Sequence, residues 1–336
     1  MNNNKLRILS CVVLGAIAAP QSAIAFFNTE TEQPAVQRAT AAYVPAVLSK
    51  QAVVSLAPSF GVRSLTSAGS PSGLSAGDKT SRSGNAWMTV GATTYDTNLG
   101  GGVTYDADIY NLIAGYDFSY RKDLVLGVAF TYERSRSIGS LSTDSTREGF
   151  GIVPYIGIKL SDTLILDASI GWAPSLDGRL ADSTGTLTAT PLHPDTNRTQ
   201  ASINLNGYVP VDNKVMLSWH TGINYSRDKT TNGLSATNGI DYGGTNTLGQ
   251  GYLRGQVTYY GGDIETYVSL EYDYDFDNPE DLSTFNLDED DDQFILNVGM
   301  NVKFSSSGVL NLDFKMIEDR DFVDHAAFQA SYSMPF

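Results

Sequence analysis

The sequence predicts an all-β protein: a twelve-stranded antiparallel transmembrane β-barrel preceded by a short, partly helical N-terminal segment. Three observations lead to this fold class. From Asn85 to the C-terminus, apolar and polar residues alternate with a period of two, which is the period of a half-buried strand. The connections between these segments alternate between short turns and longer loops. Beyond residue 25 no apolar run approaches the roughly 18 residues of a membrane-spanning helix, so only strands could cross a bilayer.

The N-terminus predicts export through a signal peptide, residues 1–25. A short basic stretch precedes an apolar run at 8–19, and the small-residue triplet 23–25 follows; this order is typical of a cleaved secretory signal. The apolar run is too short to span a membrane as a helix. Cys11 is the only cysteine, and its place before most of the apolar run argues against a lipoprotein. The mature chain would therefore have neither a disulfide nor a thiol nucleophile.

The charge of the chain excludes one class of partner. There are 22 Lys and Arg against 37 Asp and Glu. Removing Lys5 and Arg7 with the signal peptide leaves 20 basic residues, so the net charge of the mature chain is −17. Such a surface repels nucleic acid, whose phosphates bind basic side chains.

The period of two is clearest in residues 264–274. One face carries Ile264, Thr266, Val268, Leu270, Tyr272 and Tyr274, and the other carries Glu265, Tyr267, Ser269, Glu271 and Asp273. One apolar and one polar face is the arrangement of a barrel strand between lipid and lumen. Applied to the whole region, the alternation predicts strands at 85–96, 105–120, 123–136, 147–160, 163–174, 198–210, 214–227, 250–260, 263–276, 292–304, 308–318 and 322–336.

The connections between the predicted strands distinguish a barrel from a soluble sandwich. Tight turns are predicted at 121–123, 161–162, 211–213, 261–262 and 305–307, whereas 175–197, 228–249 and 277–291 are long loops. Outer-membrane barrels have short periplasmic turns and longer extracellular loops, and a sandwich has no reason for this alternation. Aromatic residues near the strand ends fit the membrane interfaces: Tyr116, Phe118, Tyr132, Tyr225, Tyr272, Tyr274, Phe276 and Phe304.

The last predicted strand ends at the C-terminal residue and closes the barrel. In hydrocarbon no strand edge can stay unpaired, so the first and last strands must pair. One face of this strand is apolar and rich in aromatic residues, and Pro335 costs at most one hydrogen bond so near the chain end. The strand resembles the terminal strand of bacterial outer-membrane proteins, which the barrel-assembly machinery recognises. The residues that would carry this signal are Phe328, Tyr332, Met334 and Phe336.

Local segments resemble the autotransporter β-domain, the translocator of type V secretion. Residues 85–91 (NAWMTVG) resemble its opening strand, 110–117 (YNLIAGYD) with 124–132 (LVLGVAFTY) its second hairpin, and 166–172 (LDASIGW) its fifth strand. Twelve strands that end at the C-terminus agree with that family. The resemblance implies an integral outer-membrane barrel of Gram-negative bacteria with its loops at the cell surface.

The N-terminal segment, residues 26–84, departs from this family. Autotransporters carry a large passenger ahead of the barrel, and 59 residues between signal peptide and first strand leave little or none. The resemblance implies a helix in the pore, for which residues 35–54 are the candidate. Pro45 and the Gly- and Ser-rich linker that follows equally allow a disordered or periplasmic tail.

Charged residues are predicted on the lumen face of the strands. They would form a salt-bridged lining, hold a pore segment or set an ion preference. Some autotransporters use lumen acidic residues to cut their own passenger, but no passenger is evident in this sequence. The lumen-lining charged residues are Glu133, Arg254, Glu265, Glu271, Lys303, Asp313 and Lys315, with Asp117, Lys159, Asp167, His220 and Asp273 as further inward positions.

Neither a metal site nor a catalytic site is predicted. The acidic stretch 288–292 lacks the glycine-turned loop of an EF-hand, so a solvated loop bridged to lipopolysaccharide by divalent ions is favoured. An outer-membrane hydrolase would need a nucleophile, a base and an orienting group within reach. His193, His220 and His325 stand in separate segments without a Gly-x-Ser-x-Gly elbow. We expect no enzyme activity and no cofactor.

The function expected from the sequence is that of an autotransporter-like barrel with acidic external loops. The alternatives are a porin-like channel for ions or small solutes and, less favoured, an adhesin that binds through its loops. The expected partners are outer-membrane lipid, lipopolysaccharide and the barrel-assembly machinery, with no nucleic acid, and the barrel is expected to be a monomer.

Overall fold

The structure is a computed structural model, and it describes the barrel strands, the short turns and one helix. The described residues are 43–52, 56, 84–100, 103–139, 143–182, 193–231, 244–277, 291–305, 308–318 and 323–335. The signal peptide, most of the acidic stretch 288–292 and Phe336 lie outside these ranges.

Twelve β-strands form the barrel, each at a place that the alternation predicted, so the predicted fold class is confirmed. In chain order they are β1 Gly84–Gly100, β2 Val103–Arg121, β3 Leu124–Gly139, β4 Thr143–Ser161, β5 Leu164–Asp182, β6 Asp195–Pro210, β7 Val215–Thr231, β8 Gly244–Tyr260, β9 Ile264–Asp277, β10 Asp292–Ser305, β11 Gly308–Glu318 and β12 Val323–Pro335.

The sheet is closed, with each strand antiparallel to its two neighbours in sequence. β12 returns to β1, where Tyr332 lies opposite Met88 and Phe328 lies opposite Ala92. Closure pairs the backbone amides of both terminal strands, as a hydrocarbon environment requires.

Several strands continue further at the loop end than the sequence predicted. β5 runs to Asp182 instead of residue 174, and β8 begins at Gly244 instead of residue 250. Exposed outward residues of these extensions include Ser175, Asp177, Arg179 and Thr245, so the apolar alternation stops there while the backbone ladder continues. Hydropathy marks where lipid ends, whereas hydrogen bonding between strands does not depend on lipid.

Burial follows the two faces of each strand. Along β9 the outward residues, such as Val268 and Leu270, are exposed, whereas the inward Glu265, Ser269 and Asp273 are buried. This arrangement, with apolar side chains outside and polar side chains inside, is the inverse of that in a soluble protein and is typical of a membrane barrel.

One helix, α1, spans residues 43–52. Pro45 lies within this helix, so the proline that argues against a helix in the sequence does not prevent one from forming. Within the described part of the chain, no helix has the length and apolar character needed to cross a membrane.

Candidate functional site

The helix α1 lies inside the barrel, with its apolar face against strands β1–β4. Val44, Val47 and Leu48 form a buried cluster with inward residues of these strands. Their spacing of three and four residues places them on one side of the helix. The strand residues of the cluster are Trp87, Ile113, Ala129, Val153 and Tyr155.

This part of the lumen wall is apolar on both faces, which is a signal that the sequence analysis missed. On β3, for example, Val125 and Ala129 point inward and are fully buried, while Phe130 points outward and is exposed. A wall that faces a water-filled lumen would carry polar residues at these positions. Inward apolar residues on adjacent strands therefore mark where a helix packs.

Glycine allows the helix to approach β4 closely. A Cβ atom on Gly157 would lie 2.9 Å from Leu56 Cδ1 and 3.0 Å from Ala52 Cβ. Because Ala52 belongs to the helix itself, a side chain at residue 157 would displace α1 from the wall.

The direction of α1 follows from its contacts. Tyr43 packs over Gly91, in the middle of β1. Leu56, the next described residue after Ala52 and also helical, packs with Val125 and Ile165, each the second residue of a strand that follows a short turn. The chain therefore runs from the middle of the lumen toward the short-turn end, where β1 also begins.

Ser49 joins the helix to β5 and β6. Its hydroxyl donates to Asp167 Oδ2 at 2.7 Å. Asn204 and Asn206 each donate a further hydrogen bond of 2.7 Å to the same carboxylate. Asp167 is buried, so three donors replace the water that a buried carboxylate loses.

Lys50 joins the helix to β9 and β11. Its Nζ donates to Asp313 Oδ2 at 2.8 Å, to Asn311 Oδ1 at 2.6 Å and to the Tyr267 hydroxyl at 3.3 Å. The Tyr267 hydroxyl in turn donates to Asp313. Ser49 thus connects the helix to β5 and β6, and Lys50 connects it to β9 and β11.

A cavity of about 150 Å³ remains between the polar face of α1 and the wall formed by β6–β12. Among its lining atoms, Gln51 Oε1, Tyr208 Oη, Ser218 Oγ and Asn297 Oδ1 are buried and have no hydrogen-bond partner among the described residues. A polar cavity of this size suits bound water. The helix therefore fills the β1–β5 side of the lumen and leaves a polar cavity opposite.

A four-residue ion cluster crosses the lumen at the loop end. Arg198 binds Asp228 through two nitrogens at 2.7 Å each and reaches Glu133 at 2.6 Å. Arg147 contacts the same two carboxylates at 3.1 and 3.3 Å. All four side chains are buried, and the two positive charges balance the two negative ones.

Of this cluster, only Glu133 was singled out from the sequence. Asp228 lies beyond the predicted end of its strand, and Arg147 and Arg198 stand at the predicted starts of theirs. The extension of β7 places Asp228 in the lumen, and barrel pairing brings all three beside Glu133.

The charged residues predicted for the lumen on β8–β11 lie in the wall opposite the apolar one, whereas Asp117 and Lys159 lie on β2 and β4. Arg254 binds Glu271, and Glu265 accepts a hydrogen bond of 3.0 Å from Asn301. Lys315 lines the cavity beside α1. Lys303 is at the short-turn end, where its backbone N–H donates to the carbonyl of Asp263 at 2.9 Å.

The two histidines whose side chains the structure describes do not form a common site. His220 lies in the lumen, with Nδ1 2.7 Å from Asn206 Oδ1, and His193 is exposed next to Pro194. In the described ranges no group of three or more His, Cys, Asp or Glu is arranged to hold a metal ion. Asp292, at the end of the acidic stretch, accepts a hydrogen bond of 2.9 Å from the Tyr272 hydroxyl.

The residues assigned to the assembly signal face outward where the structure describes them. Phe328, Tyr332 and Met334 are each more than 40% exposed on the surface that lipid would cover.

The comparisons with known proteins agree with the closed barrel. A family model described as the autotransporter beta-domain matches residues 86–315. The translocator domain of the autotransporter NalP from Neisseria meningitidis superposes with a TM-score of 0.61 and 11% identity, over 75% of this chain and 88% of that one. The beta domain of the Bordetella autotransporter BrkA superposes with a TM-score of 0.59 and 15% identity, over 76% of this chain and 100% of that one.

The transport unit of the autotransporter AIDA-I from Escherichia coli gives a TM-score of 0.55 and 11% identity, over 81% of this chain and 96% of that one. No curated protein matches the sequence significantly. At these identities the solved structures support the fold, and the family model covers more than half of the chain. The chain belongs to the autotransporter β-domain family of outer-membrane barrels.

Proposed function

We propose that this barrel is an outer-membrane anchor that holds α1 in its lumen and presents the residues before Tyr43 toward the cell surface. The observation that carries this proposal is the direction of α1, which runs from mid-lumen to the short-turn end. Short turns are periplasmic in outer-membrane barrels. Residues 26–42 then extend toward the extracellular side, and the linker to β1 returns on the periplasmic side.

The attachment of α1 supports a fixed rather than a transient helix. One face is packed against apolar wall residues, and the other is held by Ser49 and Lys50. Above the helix, the Arg147–Arg198–Glu133–Asp228 cluster narrows the lumen. The proposal therefore assigns the barrel an anchoring role, with no catalytic chemistry, and includes cleavage of the signal peptide after Ala25.

Labelling of introduced cysteines tests the proposed path of the chain. In a Cys11→Ser background no thiol remains, so Thr31→Cys and Ser75→Cys provide unique sites on either side of α1. A membrane-impermeant maleimide should label Thr31→Cys on intact cells and Ser75→Cys only after the outer membrane is permeabilised. Labelling of Thr31→Cys only after permeabilisation would refute surface presentation.

A second candidate function is a channel for ions or small solutes, and the hydrated cavity beside β6–β12 favours it. Planar-bilayer conductance separates the two. An anchor with a docked helix should conduct little as the full-length protein and strongly after deletion of residues 26–80. A large conductance in both forms would favour the channel and contradict a plugged lumen.

A further inference from the structure

The outward faces of β3 and β7 carry the same order of side chains at the loop end. On β7, Tyr225 is followed by Arg227 and Lys229, all exposed. On β3, Tyr132 is followed by Arg134 and Arg136. In both strands apolar outward residues precede the tyrosine. Since aromatic residues mark the membrane interface, both cation pairs lie just beyond the hydrocarbon, at the level of the outer-leaflet headgroups.

Carboxylates of the next strand neutralise the pair on β3. Arg136 binds Asp144 through two nitrogens at 3.3 and 3.4 Å. Arg134 lies 3.9 Å from Glu148, which also accepts a hydrogen bond of 3.1 Å from the Tyr132 hydroxyl. This patch carries no net charge from these four residues.

Among the described residues, no carboxylate lies directly opposite the pair on β7. Arg227 lies opposite Thr199 on β6 and Thr247 on β8. Lys229 lies opposite Asn197 and Thr245. Directly opposed residues share one face of a sheet, so two cations stand among four neutral hydrogen-bonding side chains. Among the described residues, neither cation has a carboxylate within 4.0 Å.

We propose that Arg227 and Lys229 bind a phosphate group of a phosphorylated glycolipid in the outer leaflet. Arg offers a planar pair of donors that matches phosphate oxygens, and Lys adds a point charge. The neighbouring Thr and Asn side chains add neutral donors, and Tyr225 contacts the acyl region below. On a chain with a formal net charge of −15, such a site provides local attraction for an anionic lipid that the rest of the protein repels.

This proposal rests on the outer-membrane placement, and its test separates the two. The double variant Arg227→Gln/Lys229→Gln is compared with the matched control Arg134→Gln/Arg136→Gln and with the charge-conserving Lys229→Arg. Each protein is refolded in detergent and titrated with purified lipopolysaccharide, and binding is followed by native mass spectrometry. Outer-membrane fractionation and heat-modifiable migration, measured for each variant, report insertion independently of lipid binding.

We expect the double variant to bind lipopolysaccharide roughly 30-fold more weakly than wild type, from about 1 kcal/mol for each cation near an anionic surface. The control should bind within about twofold of wild type, because the β3 cations are already paired. Lys229→Arg should also bind within about twofold, because it keeps the positive charge. All variants should insert normally. Equal weakening in the control, or no weakening in the double variant, would overturn the proposal.

Two further arms identify the source of the phosphate. Enzymatically dephosphorylated lipopolysaccharide should bind the wild type as weakly as intact lipopolysaccharide binds the double variant. Inorganic phosphate at millimolar concentration should not displace the lipid. Full binding of the dephosphorylated lipid, or displacement by free phosphate, would contradict a phosphoglycolipid site.

Discussion

Lys50 of the lumen helix donates a hydrogen bond to Asp313 of β11, with Nζ 2.8 Å from Oδ2. The carboxylate is buried, whereas the Lys50 side chain is about one third exposed to the cavity. This contact crosses the hydrated side of the lumen, opposite the apolar face of the helix. It therefore holds α1 at the point where packing alone would leave it free to move away.

Loss of this contact should loosen the helix without unfolding the barrel. We expect Asp313→Asn to weaken helix docking by about 1–2 kcal/mol, less than for a fully buried pair because Lys50 is partly hydrated. Brief open events should become more frequent in single-channel recordings. In a double-mutant cycle with Lys50→Met, the second substitution should add little once the first is present. Fully additive effects would contradict a direct interaction.

The close approach at Gly157 should be intolerant of side chains. Because a Cβ there would lie 3.0 Å from Ala52 Cβ, Gly157→Val should displace α1 and raise the conductance of the full-length protein toward that of the 26–80 deletion. Gly255→Val is the control, since its Cβ would meet no atom within 4 Å. Combining Gly157→Ala with Ala52→Gly should restore the low conductance. An unchanged conductance in Gly157→Val would refute the packing of α1 on β4.

The loop-end ion cluster should be far more sensitive than the ion pairs on the outer surface. Arg198→Met leaves Glu133 and Asp228 buried with one arginine between them, and we expect a loss of about 3 kcal/mol in the free energy of unfolding. Arg136→Gln removes an exposed pair and should cost less than about 1 kcal/mol. Urea unfolding followed by loss of heat-modifiable migration measures both. Similar costs for the two variants would contradict a stabilising role of the cluster.

Assembly should depend on the C-terminal residue. Deletion of Phe336 should impair insertion and leave protein in the periplasm, because the terminal strand is the proposed signal for the assembly machinery. Asp290→Asn, in the acidic stretch, should insert normally. Fractionation and gel migration at low temperature provide the measurement, and wild-type insertion of the deletion would count against this role.

The number and order of the strands could be predicted because each strand faces two solvents. Lipid requires apolar residues at every second position and the lumen tolerates polar ones between them, so β9 and β10 are evident from hydropathy alone. The strand extensions could not be predicted in this way, because Asp177 and Arg179 face water outside the membrane, where no period is imposed. Asp228 of the ion cluster was missed for this reason, whereas Arg147 and Arg198 stand at the first positions of predicted strands.

The position of α1 could be predicted only in part. Residues 35–54 are the candidate from the sequence, and the structure describes a helix at 43–52 that contains Pro45. The inward apolar residues Val125, Ala129 and Val153 were present in the sequence as a sign of helix packing, but their significance depends on which strands are neighbours.

The sequence by itself determined the barrel, its twelve strands and the orientation of their faces, because a period of two in a lipid environment allows few other solutions. Only the tertiary structure decided how the lumen is filled. Lys50 and Asp313 are 263 positions apart, and Arg198 is 65 from Glu133. No local pattern specifies such pairs, because barrel closure and strand register bring them together. Since these contacts lie in the lumen, their loss is expected to affect helix docking and stability.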